Sequence, residues 1–274
     1  MAKESGNNLA LGVIGGGVMA EAIVSCLIAQ KVYAADSILV SEPQEKRREF
    51  WQQQYGVGVT DENLAVMNAE TVLLAIKPQI LESVVTALDL ATHQELSPLI
   101  VSILAGVTLE SLESAFAGCP VIRVMPNTPA TVGAAMSAIA LGTDVSSQQI
   151  QIATDIFAAV GEVVTVPESL IDGVTGLSGS GPAYVALMVE ALADGGVAVG
   201  LPRAIAQKLA IQTLLGTAKL LQESGMHPAV LKDRVSSPGG TTIAGVAALE
   251  KGGFRAAVME AVKASYQRSQ ELGK

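Results

Sequence analysis

The feature that most constrains this chain is the run Leu9–Ala20, LALGVIGGGVMA, in which an apolar segment ends on three consecutive glycines. The helix-compatible segment Glu21–Val24 follows directly. Gly15, Gly17 and Ala20 match the G-x-G-x-x-G/A spacing of a strand–turn–helix that cradles a dinucleotide pyrophosphate. Each small residue has a physical reason. Gly15 permits the sharp turn, Gly17 lets the phosphates approach the backbone, and Ala20 lets the helix lie close to the strand. Unpaired N–H groups at the helix start complete an anion site. Taken alone, the same run also fits a glycine-rich turn that binds nothing, so its context must decide.

That context alternates. After the loop, Val18–Gln30 reads as a helix, Ser37–Val40 as a strand, and Pro43–Tyr55 as a charged helix opened by a proline. Short Val57–Val59, then Thr71–Ile76, Leu99–Leu104, Val121–Met125, Ala135–Leu141 and Val163–Val166 continue the strand series between helical or loop segments. Ser146 and Gln149 form a capping box ahead of Ile150–Val160. Strands alternating with helices predict a right-handed, doubly wound α/β sheet of the Rossmann type. Half of the residues are apolar but only 3% are aromatic, which suits buried parallel strands under close-packed helices.

The pattern changes at Pro167. Beyond it no strand is expected, only helices over Pro182–Ala198, Pro202–Ser224, His227–Val235, Thr241–Glu250 and Phe254–Leu272. Two domains are therefore expected, a dinucleotide-binding domain over 1–167 and an all-α domain over 168–274. Ala183–Ala193 is apolar nearly all round, and such a helix must be buried on every side. A domain of thin helices cannot bury it alone, so a partner subunit is expected to complete the core.

Several function classes are disfavoured. A net charge of −9 argues against a nucleic-acid partner. Cys26 and Cys119 form no C-x-x-C pair, which fits a reducing cytoplasm with both thiols buried. The long uncharged stretches Val124–Thr143 and Gly173–Val189 are broken by Pro, Gly, Ser, Thr or Asn, and Met1–Asn8 lacks an apolar signal core. A soluble, cytoplasmic protein is expected. His93 and His227 lack ligand spacing, so no metal site is expected, and His227 before Pro228 suits a helix cap. Gly176–Gly181 resembles a nucleophile elbow, but Ser180 breaks the G-x-S-x-G spacing and no strand precedes it.

Other turns strengthen the glycine loop. Lys77-Pro78, Ala105-Gly106 and Met125–Pro129 all follow strands, where open α/β sheets bind ligands. At the second strand's end, Glu42 suits a ribose 2′-hydroxyl, while Ser41 with Arg47 or Arg48 suits a 2′-phosphate. These residues alone leave that choice open. Near the end of the chain, Ser236–Thr242 (SSPGGTT) opens a helix with two glycines and hydroxyls, a nest of N–H groups suited either to a carboxylate or simply to capping.

Over nearly its full length the chain resembles the pyrroline-5-carboxylate reductases. The carrying motifs are GGGVMAEAI (15–23), AIKP (75–78), VSILAGV (101–107), RVMPNTPA (123–130), TGLSGSGPAY (175–184), EALADGGV (190–197), GLPR (200–203) and HPAVLKDRVSSPGGTTI (227–243). The resemblance implies NAD(P)H-dependent reduction of 1-pyrroline-5-carboxylate to L-proline, with NADPH favoured through Ser41 and NADH as the alternative. It implies a cofactor site of Gly15, Gly16, Gly17, Val18, Met19, Ala20, Ser41, Ala75, Ile76, Lys77, Pro78, Ile103, Leu104, Ala105 and Asn127. It implies a substrate site of Glu168, Ser237, Gly239, Gly240, Thr241 and Thr242, in which Thr242 contacts the ring nitrogen. It also implies an interlocked homodimer and rings of such dimers. Val18 stands where an amide is common, and Glu42 is an unwelcome neighbour for a 2′-phosphate. Two other readings stand beside this one, a β-hydroxyacid dehydrogenase, which shares the architecture, and a non-catalytic NADPH-binding regulator of a different class. The first expects a lysine on the long helix at 182–198, where this chain carries Glu190 and Asp194.

Overall fold

A computed structural model describes residues 9–93 and 95–273. The Met1–Asn8 segment, where no signal core is expected, lies outside them. The chain divides into two compact units, one of residues 1–179 with 265–274 and one of residues 180–264.

The first unit is built on eight strands: β1 (Leu11–Ile14), β2 (Ile38–Ser41), β3 (Gly58–Thr60), β4 (Thr71–Leu74), β5 (Leu99–Ser102), β6 (Val121–Met125), β7 (Ala135–Leu141) and β8 (Gly161–Thr165). They form one sheet in the order β3-β2-β1-β4-β5-β6-β7-β8. The order reverses direction at β1, beside which β4 pairs with Leu11 opposite Thr71. Every expected strand is present, and the doubly wound fold class holds. One pairing departs from a parallel sheet: β7 runs antiparallel to β6, with Val124 opposite Ile139. Residues 126–134 are too few for a crossover back to the starting edge, so the chain turns through a short 3₁₀ segment, Thr128–Val132, and returns alongside.

Helices α1 (Val18–Ala29), α2 (Glu45–Tyr55), α3 (Asn63–Val66), α4 (Leu81–Leu88), α5 (Leu109–Ala115), α6 (Ser147–Ala158) and α7 (Ile171–Val174) belong to this unit. Successive strand residues supply two separate cores, as a two-residue side-chain period requires. Leu11, Val13, Leu73, Val101 and Val124 join Ile23, Trp51 and Phe157 on one face. Ile14, Val72, Leu74, Ile100 and Val121 join Leu88, Leu112 and Phe116 on the other. Ser146 and Gln149 make the expected capping box at α6. The α2 helix opens at Glu45 rather than Pro43, because the Glu42 carboxylate takes the Gln44 N–H (3.0 Å) ahead of the first turn.

The second unit holds α8 (Gly181–Ala198), α9 (Arg203–Ser224), α10 (Pro228–Val235), α11 (Thr241–Lys251) and the start of α12 (Phe254–Leu272), whose last turns belong to the first unit. Among the described residues it contains no strand. Its buried core is small, made by Ala193, Ala206 and Ala210 with Val189 against them. The apolar α8 stays largely open in a single chain, with Val185, Leu187 and Leu192 exposed, as are Ile205, Leu209 and Leu215 on α9. Apolar surface of that extent marks a contact face. His227 caps α10, its Nδ1 accepting the Ala229 N–H (3.2 Å). No helix among the described residues is long and apolar enough to cross a membrane.

The two thiols differ from expectation in one respect: Cys119 is buried but Cys26 is only half-buried. Burial pushes the Cys119 thiol above its ordinary range. Little thiolate forms at neutral pH, and the thiolate is the nucleophile. Cys119 is therefore expected to stay unlabelled by iodoacetamide in the native protein and to react fully after denaturation, as read by intact mass. Labelling of Cys119 at equal rates in both states would contradict this burial.

Candidate dinucleotide and carboxylate sites

The glycine loop lies between β1 and α1. Gly15 has φ +98°, and a Cβ there would stand 2.7 Å from the Ala75 carbonyl oxygen, so both the backbone conformation and the space demand glycine. Its N–H donates to the Ser41 carbonyl (2.9 Å). Gly16 is buried, and a Cβ there would stand 2.6 Å from Trp51 Nε1. Gly17 is exposed at the N-cap of α1, with nothing within 4 Å of the place a Cβ would occupy. The first helical bond comes from Glu21 N–H to the Gly17 carbonyl (2.9 Å), so the N–H groups of Val18, Met19 and Ala20 precede the ladder. This open cradle at a helix start fits an anionic pyrophosphate.

Side chains beyond the fingerprint hold the loop. The Gly16 N–H donates to Glu42 Oε2 (3.0 Å). The Gly16 carbonyl accepts from Arg47 Nε (2.7 Å) and from Trp51 Nε1 (3.0 Å). Arg47 also pairs with Glu21 in the first turn of α1, and Tyr55 donates to the same carboxylate (2.9 Å). Burial and the Glu21 carboxylate together raise the Tyr55 hydroxyl above its ordinary range. Of this group only Glu42 and Arg47 are marked by the sequence, as ribose or phosphate ligands; here they hold the Gly16 peptide.

Ser41 is fully buried and donates to Asn63 Oδ1 (2.7 Å). Arg48 donates to the Glu42 and Pro43 carbonyls (2.8 Å each) and lies 3.7 Å from Asp61.

The carboxyl edge of the sheet carries a cleft of about 280 Å³ lined by Met19, Ala75, Ile76, Ile103, Met125, Pro126, Asn127, Thr128 and Gly179. β4 and β5 end at Leu74 and Ser102, earlier than their sequence suggests, which frees Ala75, Ile76 and Ile103 to face it. Lys77, Pro78 and Ala105 are not among its lining residues, and Lys77 is an exposed N-cap of the 3₁₀ turn Pro78–Ile80. Leu104 is buried in the sheet's second core rather than in the cleft. Met125, Pro126 and Thr128 line it, as expected of the turn after the sixth strand, and Gly179 lines it unexpectedly. The signal of the first three in the sequence is position, because Met125–Thr128 follows a strand end. Asn127 spends both ends of its amide internally, donating to the Ser178 carbonyl (3.0 Å) and accepting from Met136 N–H (2.9 Å). It shapes the turn.

In the second unit, Ser236 closes α10 by donating to the Lys232 carbonyl (2.8 Å). Gly239 turns at φ +65°, and Gly240 N–H returns to the Ser237 carbonyl (3.0 Å). Gly240 is the N-cap of α11, and the Thr241 and Thr242 hydroxyls have no protein hydrogen-bond partner among the described residues. The result is a turn of glycines at a helix start with two hydroxyls to spare, as a carboxylate ligand needs.

Glu168 lies in the first unit and is engaged there. Its Oε1 accepts from Arg123 (2.8 Å) on β6 and from the Leu109 N–H (2.6 Å) that opens α5. Arg123 is almost fully buried, so the pair neutralises a charge inside the unit.

Comparison with known proteins places this arrangement. Residues 168–272 match the family model for pyrroline-5-carboxylate reductase dimerisation, and residues 10–106 match that for NADP oxidoreductase, coenzyme F420-dependent. The pyrroline-5-carboxylate reductase of Synechocystis sp. is 59% identical over 97% of this chain and 99% of its own length. A solved pyrroline-5-carboxylate reductase from Coxiella burnetii superposes with a TM-score of 0.90 at 35% identity, covering 97% of this chain and 99% of its own. The pyrroline carboxylate reductase of Plasmodium falciparum, solved with NADP bound, gives 0.87 at 30% identity over 98% and 99%. With 59% identity to one named reductase along almost the whole chain and a dimerisation model matched over residues 168–272, the protein belongs to the pyrroline-5-carboxylate reductase family.

Proposed function

We propose that this protein reduces 1-pyrroline-5-carboxylate to L-proline with NADPH as the hydride donor, the closing step of proline biosynthesis. The observation that carries the reading is the Ser236–Thr242 turn with its unpartnered Thr241 and Thr242 hydroxyls at the start of α11, in a chain 59% identical to a named reductase. NADPH, when bound, supplies hydride to the imine carbon. Glu42 and Ser41 are spent on protein partners, and withdrawal of Glu42 from a 2′-hydroxyl supports NADPH, as does the NADP-bound relative. The cofactor residues of the reading are Gly15–Ala20, Ser41, Ala75–Pro78, Ile103–Ala105 and Asn127, of which Ser41, Leu104 and Asn127 turn their side chains into the protein and serve by shaping the site.

On the substrate side, Ser237, Gly239, Gly240 and Thr241 hold the carboxylate and the Thr242 hydroxyl hydrogen-bonds the ring nitrogen, with Glu168 as the further substrate residue of the reading. An imine nitrogen is basic enough to arrive protonated, so this chain needs no strong acid and does mainly positioning work. The domains of the reading are residues 1–167 for the dinucleotide and 168–274 for substrate and dimerisation. The exposed faces of α8 and α9 support a homodimer; rings of such dimers and a cytoplasmic location complete the proposal. Purified protein is expected to consume NADPH, followed at the nicotinamide absorbance band, only when pyrroline-5-carboxylate is added. No consumption with either nicotinamide cofactor would overturn the reading.

A further inference from the structure

Gly16 is one residue upstream of the open phosphate cradle, yet its peptide is the most heavily held in the loop. Glu42 takes its N–H, and Arg47 and Trp51 both donate to its carbonyl. All three side chains are fixed in turn. The second Glu42 oxygen accepts the Gln44 N–H (3.0 Å), Arg47 reaches on to Glu21 of α1, and Trp51 is fully buried. The Arg47 guanidinium also lies over the Phe50 ring, 4.5 Å from its centroid. A carboxylate bound to two backbone N–H groups is oriented inward, toward the peptide it holds.

We propose that Glu42, Arg47 and Trp51 are positioning residues that clamp the Gly16 peptide and so aim the N–H groups of Gly17–Ala20 at the pyrophosphate, and that Glu42 does not read the ribose. The clamp acts on the part common to both nicotinamide dinucleotides. Its loss therefore weakens NADP⁺ and NAD⁺ together, whereas an acid that reads the ribose alters their ratio. Glycine at position 16 follows from the same contacts, because the indole that donates to its carbonyl fills the space a side chain would need.

The clamp rests on the dinucleotide reading above, and one titration separates the two. Calorimetric binding of NADP⁺ and of NAD⁺ is measured on the full-length enzyme and on Glu42→Gln, Trp51→Phe and Arg47→Met, with circular dichroism melting of each. Each variant is expected to bind both dinucleotides about 10-fold more weakly, with their affinity ratio kept within about 2-fold. In steady state the loss falls on KM for the dinucleotide, with kcat reduced less than about 2-fold. A ratio shifted about 10-fold in Glu42→Gln would show a ribose-reading acid and overturn the clamp, as would wild-type affinity in the folded variants. Arg47→Met serves if Trp51→Phe does not fold, since Arg47 is partly exposed and Trp51 fully buried. A wild-type enzyme that binds neither dinucleotide removes the function reading instead.

Discussion

Replacement of Thr242 by alanine is expected to lower kcat by about 10- to 100-fold, a loss of roughly 1.4–2.7 kcal/mol of transition-state stabilisation. The Thr242 hydroxyl has no protein partner among the described residues and stands in the first turn of α11, so little folding energy depends on it. The unfolding midpoint is expected to stay within about 0.5 kcal/mol of wild type, as for other substitutions remote from buried polar networks. Steady-state kinetics with pyrroline-5-carboxylate, together with urea unfolding, tests both halves. Near-normal turnover would remove Thr242 from the mechanism. A loss that appears in KM alone would make it a carboxylate ligand, the role proposed for its neighbours.

The second large effect lies at Glu168. Removing its carboxylate strands Arg123, which is almost fully buried, and takes the acceptor from the Leu109 N–H that opens α5. Breaking a fully buried pair from one side costs about 3–5 kcal/mol. About a third of the Glu168 side chain is exposed, so water recovers part of that, and about 2–3 kcal/mol is expected for Glu168→Ala. Glu168→Gln keeps an acceptor for Arg123 and is expected to lose about half as much. An unchanged urea midpoint for Glu168→Ala would show that the pair contributes nothing. A raised KM for the imine in the better-folded Glu168→Gln would show that this carboxyl also meets the substrate.

Most of the architecture was legible because it rests on local pattern. The strands from Leu11 to Thr165 alternate between two cores or are apolar throughout, and their limits were wrong by only a few residues. The errors have common causes. Ala75, Ile76, Ile103 and Leu104 have strand-like side chains, but the ladder ends before them, a matter of neighbouring strands rather than propensity. β7 reads the same in either direction, and only the shortness of 126–134 sets it antiparallel. The family motif places Leu104 at the cofactor site, and the fold sends its side chain into the core, which leaves its backbone for that role.

The sequence by itself determined the strand–glycine–helix cradle, the change to helices after Pro167, and the two-glycine turn at the start of α11. Spacing and backbone freedom are local properties, and those three features need nothing more. Tertiary structure decided what the polar side chains do. By type and position Glu42 and Arg47 suit a ribose hydroxyl and a 2′-phosphate, and nothing in the sequence draws Trp51 to them. Folded, they converge on one buried peptide, because β2 and α2 bring residues far along the chain beside Gly16. A buried N–H and carbonyl must find partners, and which partners is a fact of packing. Ser41 is likewise turned to Asn63, and Glu168 to Arg123. Donor and acceptor inventory was in the sequence, while the pairing waited for the fold.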